Sequence, residues 1–234
     1  MSDLTIGLNL LWLRPGIVGG TETYATRLID ALVDHASDAV DVHAFASSEA
    51  IDAHRIHMGR IARTAAPGGS TAPLRRLVVE RTWLRREQHR QQIDLMHHLG
   101  GTLPAGSLHP NVVTIHDLQP LDAPENFPLA KRRWLSSAIP NAVHAADVVT
   151  APSDWVCASI IERFGVAPER VRTVSAYAPP PRAAAVTPSE QVIGLLRRGP
   201  VFLYPAMTIT HKNHLMLFRA ASVAFQSRPE LQLV

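Results

Sequence analysis

Short apolar runs recur along the chain, and between them the apolar positions fall at helical spacing. Leu4 to Leu10, Val40 to Phe45, Leu95 to Leu99, Val112 to His116, Val148 to Ala151 and Val171 to Val174 read as strands. Helices are predicted over about 21 to 35, 73 to 91, 129 to 146 and 154 to 165. A loop holding Pro15, Gly16, Gly19 and Gly20 joins the first strand to the first helix. Strand and helix alternating in this way predict an α/β fold, a doubly wound parallel sheet with helices on both faces.

The alternation breaks from Ala176 to Pro188, where Pro179, Pro180, Pro181 and Pro188 exclude both a helix interior and a central strand. This stretch is read as a linker after a first domain over 1 to 175. From Ser189 the pattern restarts: a short helix to Arg197, a strand from Val201 to Tyr204, a helix after Lys212, and an apolar run from Leu231 to Val234. One further helix and two strands do not close a doubly wound domain, so residues 189 to 234 are expected to be the start of a second one.

Composition narrows the class. With 234 residues, 46% hydrophobic and 18% charged, the chain can bury a sizeable core. The single cysteine, Cys157, excludes an internal disulfide framework and a multi-cysteine zinc site. The amino terminus lacks the charged and apolar regions of a signal peptide, and no run approaches the roughly 18 apolar residues of a membrane span, so a cytoplasmic chain is expected. A net charge of +3 is too mild to imply nucleic acid.

The charge is nonetheless uneven. Arg75, Arg76, Arg81, Arg85, Arg86 and Arg90 stand against Glu80 and Glu87, with Leu74, Leu77, Val78 and Leu84 at helical spacing. This reads as a basic amphipathic helix, which suits either an ordinary solvated face or peripheral contact with an anionic membrane at its cytoplasmic face.

Lys212 is one of two lysines in the chain and lies between a strand's carboxyl end and a helix's amino end, in Thr210-His211-Lys212-Asn213-His214. That arrangement attracts phosphate, because unpaired backbone N-H groups and a compact charge point the same way; a solvated helix-start lysine is the plain alternative. His116 and Asp117 end a strand, at the edge where open parallel sheets bind ligands, or else cap the loop that follows. The Gly19-Gly20 pair permits close backbone approach but lacks the Gly-x-Gly-x-x-Gly fingerprint. Ser153 suits a helix N-cap. Twelve histidines invite a metal, yet His97 and His98 point to opposite faces of a strand and neither His-Glu-x-x-His nor paired cysteine spacing is present, so no metal is expected. No Gly-x-Ser-x-Gly elbow surrounds any serine, and Cys157 sits inside a helix, so a nucleophilic hydrolase is not expected.

In order, Gly19-Gly20-Thr21-Glu22-Thr23-Tyr24, Thr114-Ile115-His116-Asp117-Leu118, Ala151-Pro152-Ser153-Asp154-Trp155 with Arg163-Phe164-Gly165-Val166, and Tyr204-Pro205-Ala206 with His211-Lys212-Asn213-His214 resemble family 4 glycosyltransferases. Pro124 to Phe127 matches a further stretch of that family. The resemblance implies the GT-B architecture, two Rossmann-like domains with the active site in the cleft between them. It implies sugar transfer with retained anomeric configuration from a nucleotide sugar such as GDP-mannose or a UDP-sugar, without a cofactor or a metal. On the same resemblance His116 and Asp117 are catalytic candidates, and Gly19, Gly20, Glu22, Ser153, Lys212 and Asn213 are donor-binding. Lys212 would hold the diphosphate, whose growing negative charge on departure a fixed cation stabilises.

Three departures from the family accompany this. No arginine lies between Tyr204 and Lys212, Ser175-Ala176-Tyr177-Ala178 replaces a Pro-Asn-Gly-like turn, and the Glu-x7-Glu segment that contacts the donor would fall beyond Val234. The first expectation is therefore a transferase for a glycan or lipid-linked acceptor in surface polysaccharide or glycolipid synthesis, weakly active or inactive as this fragment. A non-catalytic acceptor-, membrane- or partner-binding module is the rival, and a sugar-nucleotide epimerase on the same architecture is a third reading.

Overall fold

The computed structural model describes residues 4–68, 73–108, 110–176, 188–206 and 208–234. It contains two compact units, Met1–Ala178 and Pro179–Val234. The proline-rich stretch read as a linker lies, from 177 to 187, outside the described residues.

The first unit is built on seven parallel strands: β1 Leu4–Asn9, β2 Val40–Ala46, β3 Ala62–Ala65, β4 Leu95–His98, β5 Asn111–Thr114, β6 Val148–Ala151 and β7 Val171–Thr173. Their order is β3-β2-β1-β4-β5-β6-β7, so the winding reverses between β1 and β4. Crossovers α1 Gly20–His35, α2 Ser48–Ala53, α3 Arg55–Met58, α4 Pro73–Val79, α5 Arg85–Arg90, α6 Gln119–Asp122, α7 Leu129–Ala145 and α8 Asp154–Phe164 connect the strands. Strands covered on both faces read as near-continuous apolar runs, which is why the central ones stand out in the sequence. Leu8, Ala44, Phe45, Val113 and Val149 are fully buried in them. Each large side chain buried in this way stabilises the fold by about 1.5–3 kcal/mol relative to leaving it in water.

The basic helix expected over 73 to 91 is interrupted. A π-helical turn, Glu80–Leu84, separates α4 from α5 and turns Glu80 and Leu84 inward. Leu84, Val79 and Trp83 pack with Phe45 and Met96. Most of the apolar face is therefore spent on the sheet, and a membrane would meet this segment mainly through the exposed Arg75, Arg81, Arg85, Arg86 and Arg90, with Val78 exposed beside them. Among the described residues no helix is long and apolar enough to cross a membrane.

The second unit contains α9 Glu190–Arg198, β8 Val201–Phe202, α10 His214–Ser227 and β9 Gln232–Leu233, with β8 and β9 parallel. A 3-10 turn, Thr210–Lys212, leads into α10.

Candidate functional site

Open parallel sheets bind ligands outside the carboxyl ends of the strands where the winding reverses. Here that crevice is framed by the loop after β1, the end of β4 and the segment after β5. The loop after β1 turns at Gly16 and at Gly19, whose φ of 66° and ψ of −134° suit glycine alone. Gly19 is the N-cap of α1 and supplies no side-chain cap. Side chains added at Gly16, Gly19 or Gly20 would meet nothing within 4 Å. The first turn of a 16-residue helix thus opens onto free space, where its backbone N-H groups and dipole favour an anion.

Glu22 belongs to the loop. Its two carboxylate oxygens accept from the Gly16 N-H at 3.1 and 2.9 Å. One of them also stands 2.8 Å from His54 Nε2, without hydrogen-bond alignment. The carboxylate placed among the donor-binding residues therefore holds the glycine loop in shape.

His116 lies two residues past β5 and donates Nε2-H to the Leu99 carbonyl at 2.8 Å. Burial lowers its pKa against the opposing effects of that hydrogen bond and of Asp117, so the ring is neutral with Nδ1 as its acceptor. Its face meets Tyr24 edge-on, with centroids 5.0 Å apart, and Trp12 lies 6.5 Å away. Gly20 and Tyr24 are one turn apart on α1, so this contact brings the glycine loop and His116 into one neighbourhood. Tyr24 in turn donates to the Val174 carbonyl at 3.3 Å, and burial raises its pKa.

The other two candidates in this unit serve their own loops. Asp117 Oδ1 accepts from the Gln119 N-H at 3.0 Å, the capping alternative foreseen for it. Ser153 Oγ accepts from the Val156 N-H at 3.3 Å and caps α8.

A buried polar network beneath the crevice went unread in the sequence. Asn9 and His98 are register partners across β1 and β4. The Asn9 Nδ2 donates to His98 Nδ1 at 3.1 Å and to Glu80 Oε1 at 3.3 Å, while His98 Nε2 reaches Asn111 Oδ1 at 3.2 Å. On the other face of β4, His97 Nε2 contacts Thr114 Oγ1 at 2.7 Å. Burial pushes His98 down to about 4. Burial and then the neighbouring His98 and His116 push His97 down to about 3. Burial raises the Glu80 carboxyl, with Arg76 and Asn9 opposing. A charged residue within an apolar helical face was the available signal for Glu80. Among the described residues no three His, Cys, Asp or Glu side chains converge as metal ligands do.

In the second unit Lys212 closes the 3-10 turn and is exposed. Its carbonyl accepts from the Tyr204 hydroxyl at 2.6 Å, which ties the turn to the segment after β8. Asn213 adopts a left-handed backbone, φ 53° and ψ 43°, and its Oδ1 accepts from the Met216 N-H at 3.3 Å. Asn213 is thus the N-cap of α10, and Lys212 stands directly before a 14-residue helix's amino end.

A seven-stranded doubly wound unit followed by the β8–β9 unit is the framework of GT-B proteins, and solved structures share it. A glycosyltransferase from Rickettsia africae ESF-5 superposes with a TM-score of 0.57 at 13% identity, covering 96% of this chain and 58% of that one. S. aureus MnaA, in a co-structure with UDP, gives 0.56 at 13% identity over 100% and 62%. A putative UDP-N-acetylglucosamine 2-epimerase from Listeria monocytogenes gives 0.59 at 10% identity over 100% and 62%. The chain spans about three-fifths of the length of these structures. No curated protein matches it by sequence. The pattern of Glycosyltransferase Family 4 matches residues 18–176, and the chain belongs to that family.

Proposed function

We propose that the chain is the acceptor-side domain (1 to 175), the linker (176 to 188) and the start of the donor-side domain (from 189) of a retaining glycosyltransferase. The donor is a nucleotide sugar, a GDP-sugar such as GDP-mannose or a UDP-sugar. The acceptor is a glycan or lipid-linked saccharide of surface polysaccharide or glycolipid synthesis, handled at the cytoplasmic membrane face. The observation that carries the reading is His116: a neutral imidazole fixed by the Leu99 carbonyl and the Tyr24 ring, at the edge where the sheet's winding reverses, beside the uncapped amino end of α1. A ring held in this way orients a sugar hydroxyl through Nδ1 and needs no proton of its own.

Lys212 supports the same reading from the second unit. A cation at a helix amino end stabilises the leaving diphosphate more as its charge grows, which lowers the barrier to transfer. Asp117, Ser153, Glu22 and Asn213 then act by holding the loops that carry these groups.

A second reading, a non-catalytic binding module, rests on the second unit. Neither α9 nor α10 has a buried residue, and Phe202, Leu203, Leu215, Met216 and Phe218 are exposed there. Release of UDP or GDP from the corresponding sugars, with and without acceptor, separates the two. The transferase reading expects release that His116→Ala lowers at least about a hundredfold, the scale on which positioning groups act. Release that His116→Ala leaves unchanged refutes the role given to His116, and acceptor binding with neither release nor any response of Lys212 to UDP or GDP favours the module.

A further inference from the structure

The carboxyl edge of the first unit also carries cations that the reading above does not use. Lys131 and Trp134 are three residues apart on α7 and share a face of that helix. Lys131 Nζ stands 5.1 Å from the Phe127 ring centroid, and the Arg76 guanidinium from α4 lies 5.6 Å over Trp134. These two contacts bring both cations to one surface. Arg14, from the loop after β1, is near enough for its charge to act on Lys131. Partial desolvation and the charges of Arg14 and Arg76 hold the Lys131 amino group below its ordinary range, although the residue as a whole is exposed.

The negative charge beside them is insufficient. Glu80 Oε1 stands 3.8 Å from Arg76 Nε, which has no hydrogen-bond acceptor, and the same oxygen already accepts from Asn9. Burial raises the Glu80 carboxyl toward its neutral form. Arg76 keeps only 20% of its side chain exposed, so it is not a solvated tip free to swing away from its neighbours. Three cations with one weakened carboxylate beside Arg76 match a dianion, and an arginine fork beside a lysine is suited to phosphate oxygens. The flanks are apolar. Leu129, two residues before Lys131, and Ile17, three residues after Arg14, are each 59% exposed.

We infer that Arg14, Arg76 and Lys131 form a phosphate subsite on the acceptor side, so that the acceptor carries a phosphate monoester or diphosphate group. The inference rests on the acceptor-side reading of the first unit. Apolar residues on both flanks fit a phosphate attached to a lipid, and the same chemistry could be presented by a soluble sugar phosphate.

The chain has two lysines, Lys131 and Lys212, so lysine-labelled protein shows two side-chain signals and reports on each unit separately. The probes are inorganic pyrophosphate and vesicles of phosphatidylcholine with or without phosphatidic acid. The subsite requires that the Lys131 signal shift saturably and that its titration midpoint rise with pyrophosphate or with phosphatidic acid vesicles. Response to both assigns the site to the phosphate itself, and response to vesicles alone assigns it to a lipid headgroup. Arg14→Gln, at a half-buried loop position, weakens either response at least tenfold. A Lys131 signal that neither probe moves, or a response that Arg14→Gln leaves intact, overturns the subsite. Failure of the donor reading appears instead at Lys212, in titrations with UDP or GDP.

Discussion

Acid should loosen the first unit through two histidines, and the size of the effect follows from their burial. His97 and His98 are held down to about 3 and about 4 in the folded chain, against about 6.5 when unfolded. A histidine whose folded value is depressed contributes stability that is present above pH 6.5 and is lost as pH falls toward the folded value, because only the unfolded state takes up the proton. At pH 5 the folded rings are still neutral, and each unfolded ring gains about 1.36 × 1.5, or about 2 kcal/mol. The pair therefore costs about 4 kcal/mol between pH 7 and pH 5, a large part of an ordinary domain's stability. Glu80 acts in the opposite sense, since its raised carboxyl binds a proton more readily when folded. The informative quantity is thus the difference between the chain and its His97→Gln/His98→Gln variant. Trp12, Trp83, Trp134 and Trp155 are the four tryptophans and all lie in the first unit, so urea unfolding followed by tryptophan fluorescence reads that unit alone. The chain should lose about 4 kcal/mol more than the variant between the two pH values. Equal losses would refute the neutral state of the half-buried His97 and the buried His98.

Gly19→Ala should cost about 1–3 kcal/mol by urea unfolding, all of it backbone strain, since the space before it is open. Ser153→Ala should cost about 1 kcal/mol and leave nucleotide binding unchanged, as befits a cap. Asn213→Gly should cost only a few tenths of a kcal/mol, because the glycine that loses the cap relieves the left-handed backbone. Reversal of Arg81, Arg85 and Arg86 to glutamate should abolish binding to anionic vesicles, and binding by the parent chain should weaken as salt is raised. Vesicle binding that the reversal leaves unaltered would remove the membrane role.

Where apolar burial decides the structure, the sequence was easy to read. The six strands read from apolar runs in the first unit are all present: β1, β2, β4, β5 and β6 lie inside the sheet with a partner on each side, and the edge strand β7 keeps Val171 buried. The edge strand β3, Ala62-Arg63-Thr64-Ala65, has one partner and is largely exposed, so it left no apolar signature. The short helices α2, α3 and α6 were missed for want of a full period. The π turn at Glu80 follows from packing against the sheet, which no local pattern records. At the site, the positions of Gly19, His116 and Lys212 at strand and helix ends were legible from element order. The engagement of Glu22 with Gly16 depends on loop geometry, and the Asn9–His98–Asn111 network depends on strand register. Neither can be read before the strands are paired.

That Lys212 marks a nucleotide-sugar diphosphate site is tested most directly by its own side-chain signal during titration of lysine-labelled protein with UDP and with GDP. The predicted result is a saturable shift of the Lys212 signal with at least one of them, absent with uridine or guanosine alone. A Lys212 signal that neither nucleoside diphosphate moves would contradict the donor site.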